Sequence, residues 1–155
     1  MLFAEALKKA QAFAGKKFEG YFLGSMFASL AKEGEEINEW TLHYYNSGNK
    51  RDIDVTVSEN VRMEESASSR EMAPLDVSLV KISGHDAVEA AMAQYAGDVS
   101  RILLVLHNPG RPAWNVNVIS SLLNATTFTV DAASGEILVS KSTSLLQRFN
   151  PSDNK

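Results

Sequence analysis

Two kinds of periodicity alternate along the chain, and each occurs twice in the same order. In FAEALKKAQAFA, Phe3, Leu7, Ala10, Phe13 and Ala14 return to one face of a helix, and Gly15 supplies a stop. The same design returns in SGHDAVEAAMAQYAG, where Val88, Ala91, Met92 and Tyr95 form the stripe, Ser83 or Asp86 caps the start, and Gly97 ends it. An apolar segment follows each helix, FEGYFLGSMFASLA in one case and RILLVLHN in the other, and then a tryptophan opens a period-two alternation. Trp40, Leu42 and Tyr44 share one face, with Thr41 and His43 opposite. Trp114, Val116 and Val118 share a face, with Asn115 and Asn117 opposite. A third strand reads Ile53, Val55, Val57 in the first half and Phe128, Val130 in the second, and a closing strand reads Val61–Met63 and Ile137–Val139.

The pattern predicts an α+β fold: a tandem repeat of one helix and an antiparallel four-stranded sheet, with the tryptophans 74 positions apart. Two copies at so long a period favour a duplication over a solenoid. The units are residues 1–66 and 83–147. A Ser/Ala-rich connection with Pro74 spans 67–82, in which VSLVKIS reads as a strand, and a polar tail spans 148–155. An amphipathic helix covers the one apolar face such a sheet presents, so the other face is expected to be open.

In TVDAASGEI the chain reverses. Asp131 accepts backbone N–H groups within the turn and Gly135 takes a positive φ, so the pair is assigned a structural role. The helix, the tryptophan-led WNVNV and the ending TFTVDAASGEILVSKS, over residues 84–142, resemble the PepSY domain. Residues 3–65 are similar to a second, degenerate copy: Trp40 matches, but VTVSENVRM has Ser58 where the family has Asp, and Asn60 stands in a shorter turn. The resemblance implies a cystatin-like or β-lactamase-inhibitor-like unit, no catalytic residues, and a role in inhibiting or regulating peptidases outside the cytoplasm. MLFAEALKKAQAFAG lacks the apolar run of a signal peptide. An extracytoplasmic site therefore presumes an export signal already removed, and a cytoplasmic one is expected otherwise.

Composition narrows the chemistry. With no cysteine there is neither a disulfide framework nor a thiolate site. A net charge of −4 gives no basic field for nucleic acid, and no apolar run reaches the length of a membrane span. The 34 charges lie 22 to 12 in favour of residues 1–77; the charge-poor second half is expected to pack on its neighbour, with an interface as the alternative. His43, His85 and His107 lack metal-ligand spacing, no Gly-x-Ser-x-Gly elbow occurs, and no phosphate-binding glycine motif is present. Glu33, Glu35, Glu36 and Glu39 read as a solvated turn between strands rather than a cation site. No enzyme and no cofactor are expected.

Two features remain as candidate binding surface. One is the open face, with Thr41, His43, Asn115, Asn117, Thr127 and Thr129. The other is the hairpin HNPGRPAW, which displays Arg111 near Trp114, although Trp114 also reads as core. The leading expectation is a non-enzymatic module that occludes another protein, a peptidase or envelope hydrolase, with self-association left open. The rival is a small-molecule carrier or sensor whose pocket lies between helix and sheet, lined by Phe18, Tyr21, Phe22, Met26 and Phe27.

Overall fold

The computed structural model describes residues 1–67 and 71–146. Helix α1 (Phe3–Ala14) leads into a 3-10 turn and then strands β1 (Phe22–Leu30), β2 (Trp40–Asn46), β3 (Arg51–Val57) and β4 (Val61–Ala67). Helix α2 (Gly84–Met92) leads into β5 (Arg101–His107), β6 (Ala113–Ile119), β7 (Asn124–Asp131) and β8 (Ile137–Ser144). The eight strands form one antiparallel sheet in the order β4-β3-β2-β1-β5-β6-β7-β8. The seam is the β1–β5 ladder, where Ala28 pairs with Leu104 and Leu30 with Ile102. Trp40 pairs with Val57 across β2–β3, and Trp114 with Val130 across β6–β7.

Both helices lie on the same face of this sheet, and that face carries the core. Met26, Leu42, Val55, Leu104, Val116 and Val130 are among the strand residues fully buried beneath them. The two tryptophans meet at the centre with ring centroids 6.1 Å apart, and Phe3 of α1 meets Trp114 edge-on at 6.0 Å. Each indole N–H reaches the chain just ahead of a helix: Trp40 donates to the Met1 carbonyl (2.9 Å) and Trp114 to the Ile82 carbonyl (3.2 Å). A buried indole thus keeps its one polar group satisfied.

The termini of the elements depart from the sequence pattern in places. Ser83 and Asp86 both cap α2, forming a reciprocal capping box. The helix stops at Met92, five residues short of Gly97. Beyond it Tyr95 donates its hydroxyl hydrogen to the Asp98 carbonyl (2.7 Å), so this residue fixes the exit loop instead of extending the helical stripe. In α1, Ala6, Ala10 and Ala14 are buried with Phe3 and Leu7 against the core, whereas Phe13, at the margin of the stripe, is 55% exposed. VSLVKIS is not a strand: Val77–Leu79 is a 3-10 turn whose start is capped by Asp76, and Lys81 and Ile82 then donate to the Ala132 carbonyl at the β7–β8 turn. Strands β4 and β8 run to Ala67 and Ser144, longer than their apolar residues alone indicate, because hairpin pairing carries them outward. The polar tail over 148–155 lies outside the described residues, as do residues 68–70 of the connection.

Gly84 marks how closely α2 is set down. A Cβ there would lie 2.6 Å from Leu104 Cδ2 and 3.6 Å from the Trp114 ring, both in the packed core. Gly84→Val is expected to cost about 1–3 kcal/mol through overpacking, read as a lower urea midpoint; an unchanged midpoint would mean that α2 is not seated on β5 and β6 as described.

Candidate partner-binding face

Strand alternation sends the other half of the side chains to the face without helices. Because register is fixed by burial on the helix side, Thr41 and His43 of β2, Asn115 and Asn117 of β6, and Thr127 and Thr129 of β7 all lie on this open face, as expected. Cross-strand hydrogen bonds organise the polar part: Thr129 donates to Asn115 Oδ1 (3.0 Å) and Thr127 to Asn117 Oδ1 (2.6 Å). The centre of the face is apolar, which the sequence reading of small polar groups omitted. β1 and β5 are interior strands, and they place Phe27 (38% exposed), Leu103 and Val105 there.

His43 is neither free nor a simple surface histidine. Its Nε2 lies 3.3 Å from Asp52 Oδ2 on β3, and its Nδ1 contacts Asp54 Oδ1. Hydrogen bonding and attraction from Asp54, with help from Asp52, raise the imidazole above its ordinary value against the opposing effect of burial. His43 and Asp54 are directly paired across β2–β3, a relation that follows from the register once Trp40 is set opposite Val57. The described residues contain no cluster of three or more His, Cys, Asp or Glu able to hold a metal.

At one end of the face the β5–β6 hairpin carries Arg111 outward, 61% exposed, with its guanidinium 3.2 Å from Asp131 Oδ2. Asp131 is 8% exposed and also accepts from the N–H groups of Ala133 (2.8 Å) and Ser134 (3.4 Å), while Gly135 closes the turn at φ 81°. These backbone donors, joined by Arg111, hold the Asp131 carboxyl below its ordinary range. The turn therefore forms as read from VDAASG, but its aspartate also anchors the neighbouring hairpin. Trp114 does not belong to this surface. It is fully buried on the opposite side of β6, so it separates from Arg111, Asn115 and Asn117 as a core residue.

The residues expected to line a cavity between helix and sheet are dispersed. Phe18 stacks on Tyr44 at 4.0 Å and Met26 is wholly buried, whereas Phe22 packs edge-on against Tyr45 and Phe27 lies on the open face. His85 engages the Glu35 carbonyl at 3.0 Å, and Glu35 accepts from Ala31 N–H, which accounts for part of the acidic turn. His107, on the open face of β5, is half-buried, and burial lowers its pKa; its Nε2 has no partner among the described residues. No described helix is long and apolar enough to cross a membrane.

Two outcomes follow from the charges. Because its folded pKa is raised, His43 contributes stability that is fully present below about pH 6.5 and is lost as pH rises through the folded value. The imidazole should titrate above 6.5 by NMR, and His43→Gln should flatten the slope of stability across that window. Asp131, depressed in the fold, acts in the opposite sense. Asp131→Ala should cost about 1–3 kcal/mol at neutral pH, and the difference from wild type should shrink as pH falls below about 4; denaturation midpoints measured across pH check both.

Comparison with known proteins agrees with this arrangement. A "putative lipoprotein" from Clostridium difficile 630, known from a crystal structure, has the same fold with a TM-score of 0.62 over 92% of this chain and 93% of that one, at 13% identity. No curated protein matches the chain. The family model described as "Peptidase propeptide and YPEB domain" matches residues 81–139, from the approach to α2 through the start of β8. Over that segment the chain is similar to the PepSY family.

Proposed function

We propose that the chain is a non-enzymatic protein-binding module that regulates a peptidase or another hydrolase by covering part of its surface. The observation that carries this reading is the one-sided burial: both helices occupy one face of an eight-stranded sheet, and the other presents Phe27, Leu103 and Val105 bordered by Asn115, Asn117, Thr41 and His43. An apolar centre with a hydrogen-bonding border is the usual anatomy of a protein interface. The PepSY match supports a propeptide-like or inhibitor-like role without catalysis. Binding of this kind needs no bond making; it needs a rigid surface, and strands paired on both sides supply one.

The same reading takes the chain as two PepSY-like units, the first degenerate. Its support is the equal order of elements in the two halves, the matched Trp–Val pairings, and the matched indole bonds to residues two positions ahead of each helix. An extracytoplasmic location fits a regulator of envelope hydrolases and is part of the proposal.

Immobilised protein is expected to retain a peptidase or envelope hydrolase from the envelope fraction of its source cells. Asn117→Arg, on the open face, should weaken the purified partner by about tenfold or more with an unchanged melting temperature, and Arg111→Glu should weaken it less. Equal affinity of wild type and both variants would remove this face as the binding surface.

A further inference from the structure

We propose that the hollow between the β5–β6 hairpin and β8 is a binding site for a small organic acid, an apolar body carrying a single carboxylate. The cavity has a volume of about 510 Å³, within the range of ordinary ligand sites. Its floor is the open face of β5 to β7, where Asn115 and Thr129 are already bonded to each other. One wall is the hairpin loop at Pro109–Arg111 and the other is Leu138 and Val139, at the irregularity where β8 leaves register with β7.

The loop wall is held in place before any ligand arrives. Asn108 accepts from Gly110 N–H through Oδ1 (3.0 Å) and donates through Nδ2 to the Pro74 carbonyl (2.9 Å), while Pro109 and Pro112 restrict the backbone on either side. Arg111 is held in turn by Asp131, whose carboxylate is shared with two backbone N–H groups. A guanidinium has five N–H donors and prefers planar, two-point contact with a carboxylate, so the pairing with Asp131 leaves donors for a second anion. Among the described residues no Asp or Glu lines the cavity, and Arg111 is the one charged side chain that does, in a chain that is net negative.

The remaining chemistry is apolar apart from one group. Leu138 and Val139, the latter 45% exposed, offer surface to a hydrocarbon body. His107 borders the same cavity. The floor strands β5, β6 and β7 are hydrogen-bonded on both sides, so they have no free backbone groups for an extended peptide. A ligand with one charged end and few other polar groups matches this lining better than a polypeptide does.

The test uses the full chain, ¹⁵N-labelled, titrated separately with phenylpropionate and with its uncharged amide. Saturable shifts at Ala113, Asn115, Thr129 and Val139 are expected, with the acid binding about tenfold tighter than the amide and Arg111→Gln bringing the two together. A second variant, Val139→Asp, should abolish binding of both while the spectrum remains folded. The proposal is overturned if neither probe binds at millimolar concentration, if the shifts map elsewhere, if acid and amide bind alike, or if Arg111→Gln leaves the preference unchanged. None of these outcomes bears on whether the open face binds a protein.

Discussion

The antiparallel seam between β1 and β5 is the interaction on which the rest of the structure depends. Each half of the chain supplies one helix and four strands, and the seam joins the first strand of one half to the first strand of the other. In doing so it removes two sheet edges, sets both helices on one side, and brings Trp40 against Trp114. The core is consequently shared: Phe3 from the first helix packs on the tryptophan of the second half. Truncating either indole would leave a cavity under both helices, a loss of about 3–5 kcal/mol in comparable cores.

Much of this was legible in the sequence wherever one face of an element is buried. Trp40, Leu42 and Tyr44, or Trp114, Val116 and Val118, show their strand and their inward face because water is on the other side. The capping residues of α2 and the turn at Asp131 and Gly135 were equally plain, since their chemistry is local. The seam was not, because β5 is apolar on both faces through its centre, and a run such as RILLVLH carries no alternation to say which residues face the helices. For the same reason the apolar centre of the open face escaped a reading based on its polar rows.

The site residues divide along the same line. Thr41, Asn115 and Asn117 fall on the open face by period alone, but Arg111 gains its setting from Asp131, 20 positions later and on another hairpin. The contacts of His43 with Asp52 and Asp54 likewise exist only once β2 and β3 are in register. Sequence order lists these groups without bringing them together. Trp114 is core rather than surface because its neighbours in the chain point outward while it points in, a distinction of one position in a strand.

The chain between β4 and α2 is more than a connection. Leu75 donates its N–H to the Leu23 carbonyl at the start of β1, Asn108 of the second half holds Pro74, and Met72 lies over the backbone of Gly24, where β1 bulges. This segment is covalently continuous with both halves and bound to the end of each central strand. If thermal motion parts the seam, the two strands remain tethered at an effective concentration in the millimolar range, as for short linkers in general. Re-closure within one molecule then outpaces exchange of halves with a second copy at micromolar concentration. The strap therefore makes opening of the sheet a reversible, private event for each molecule.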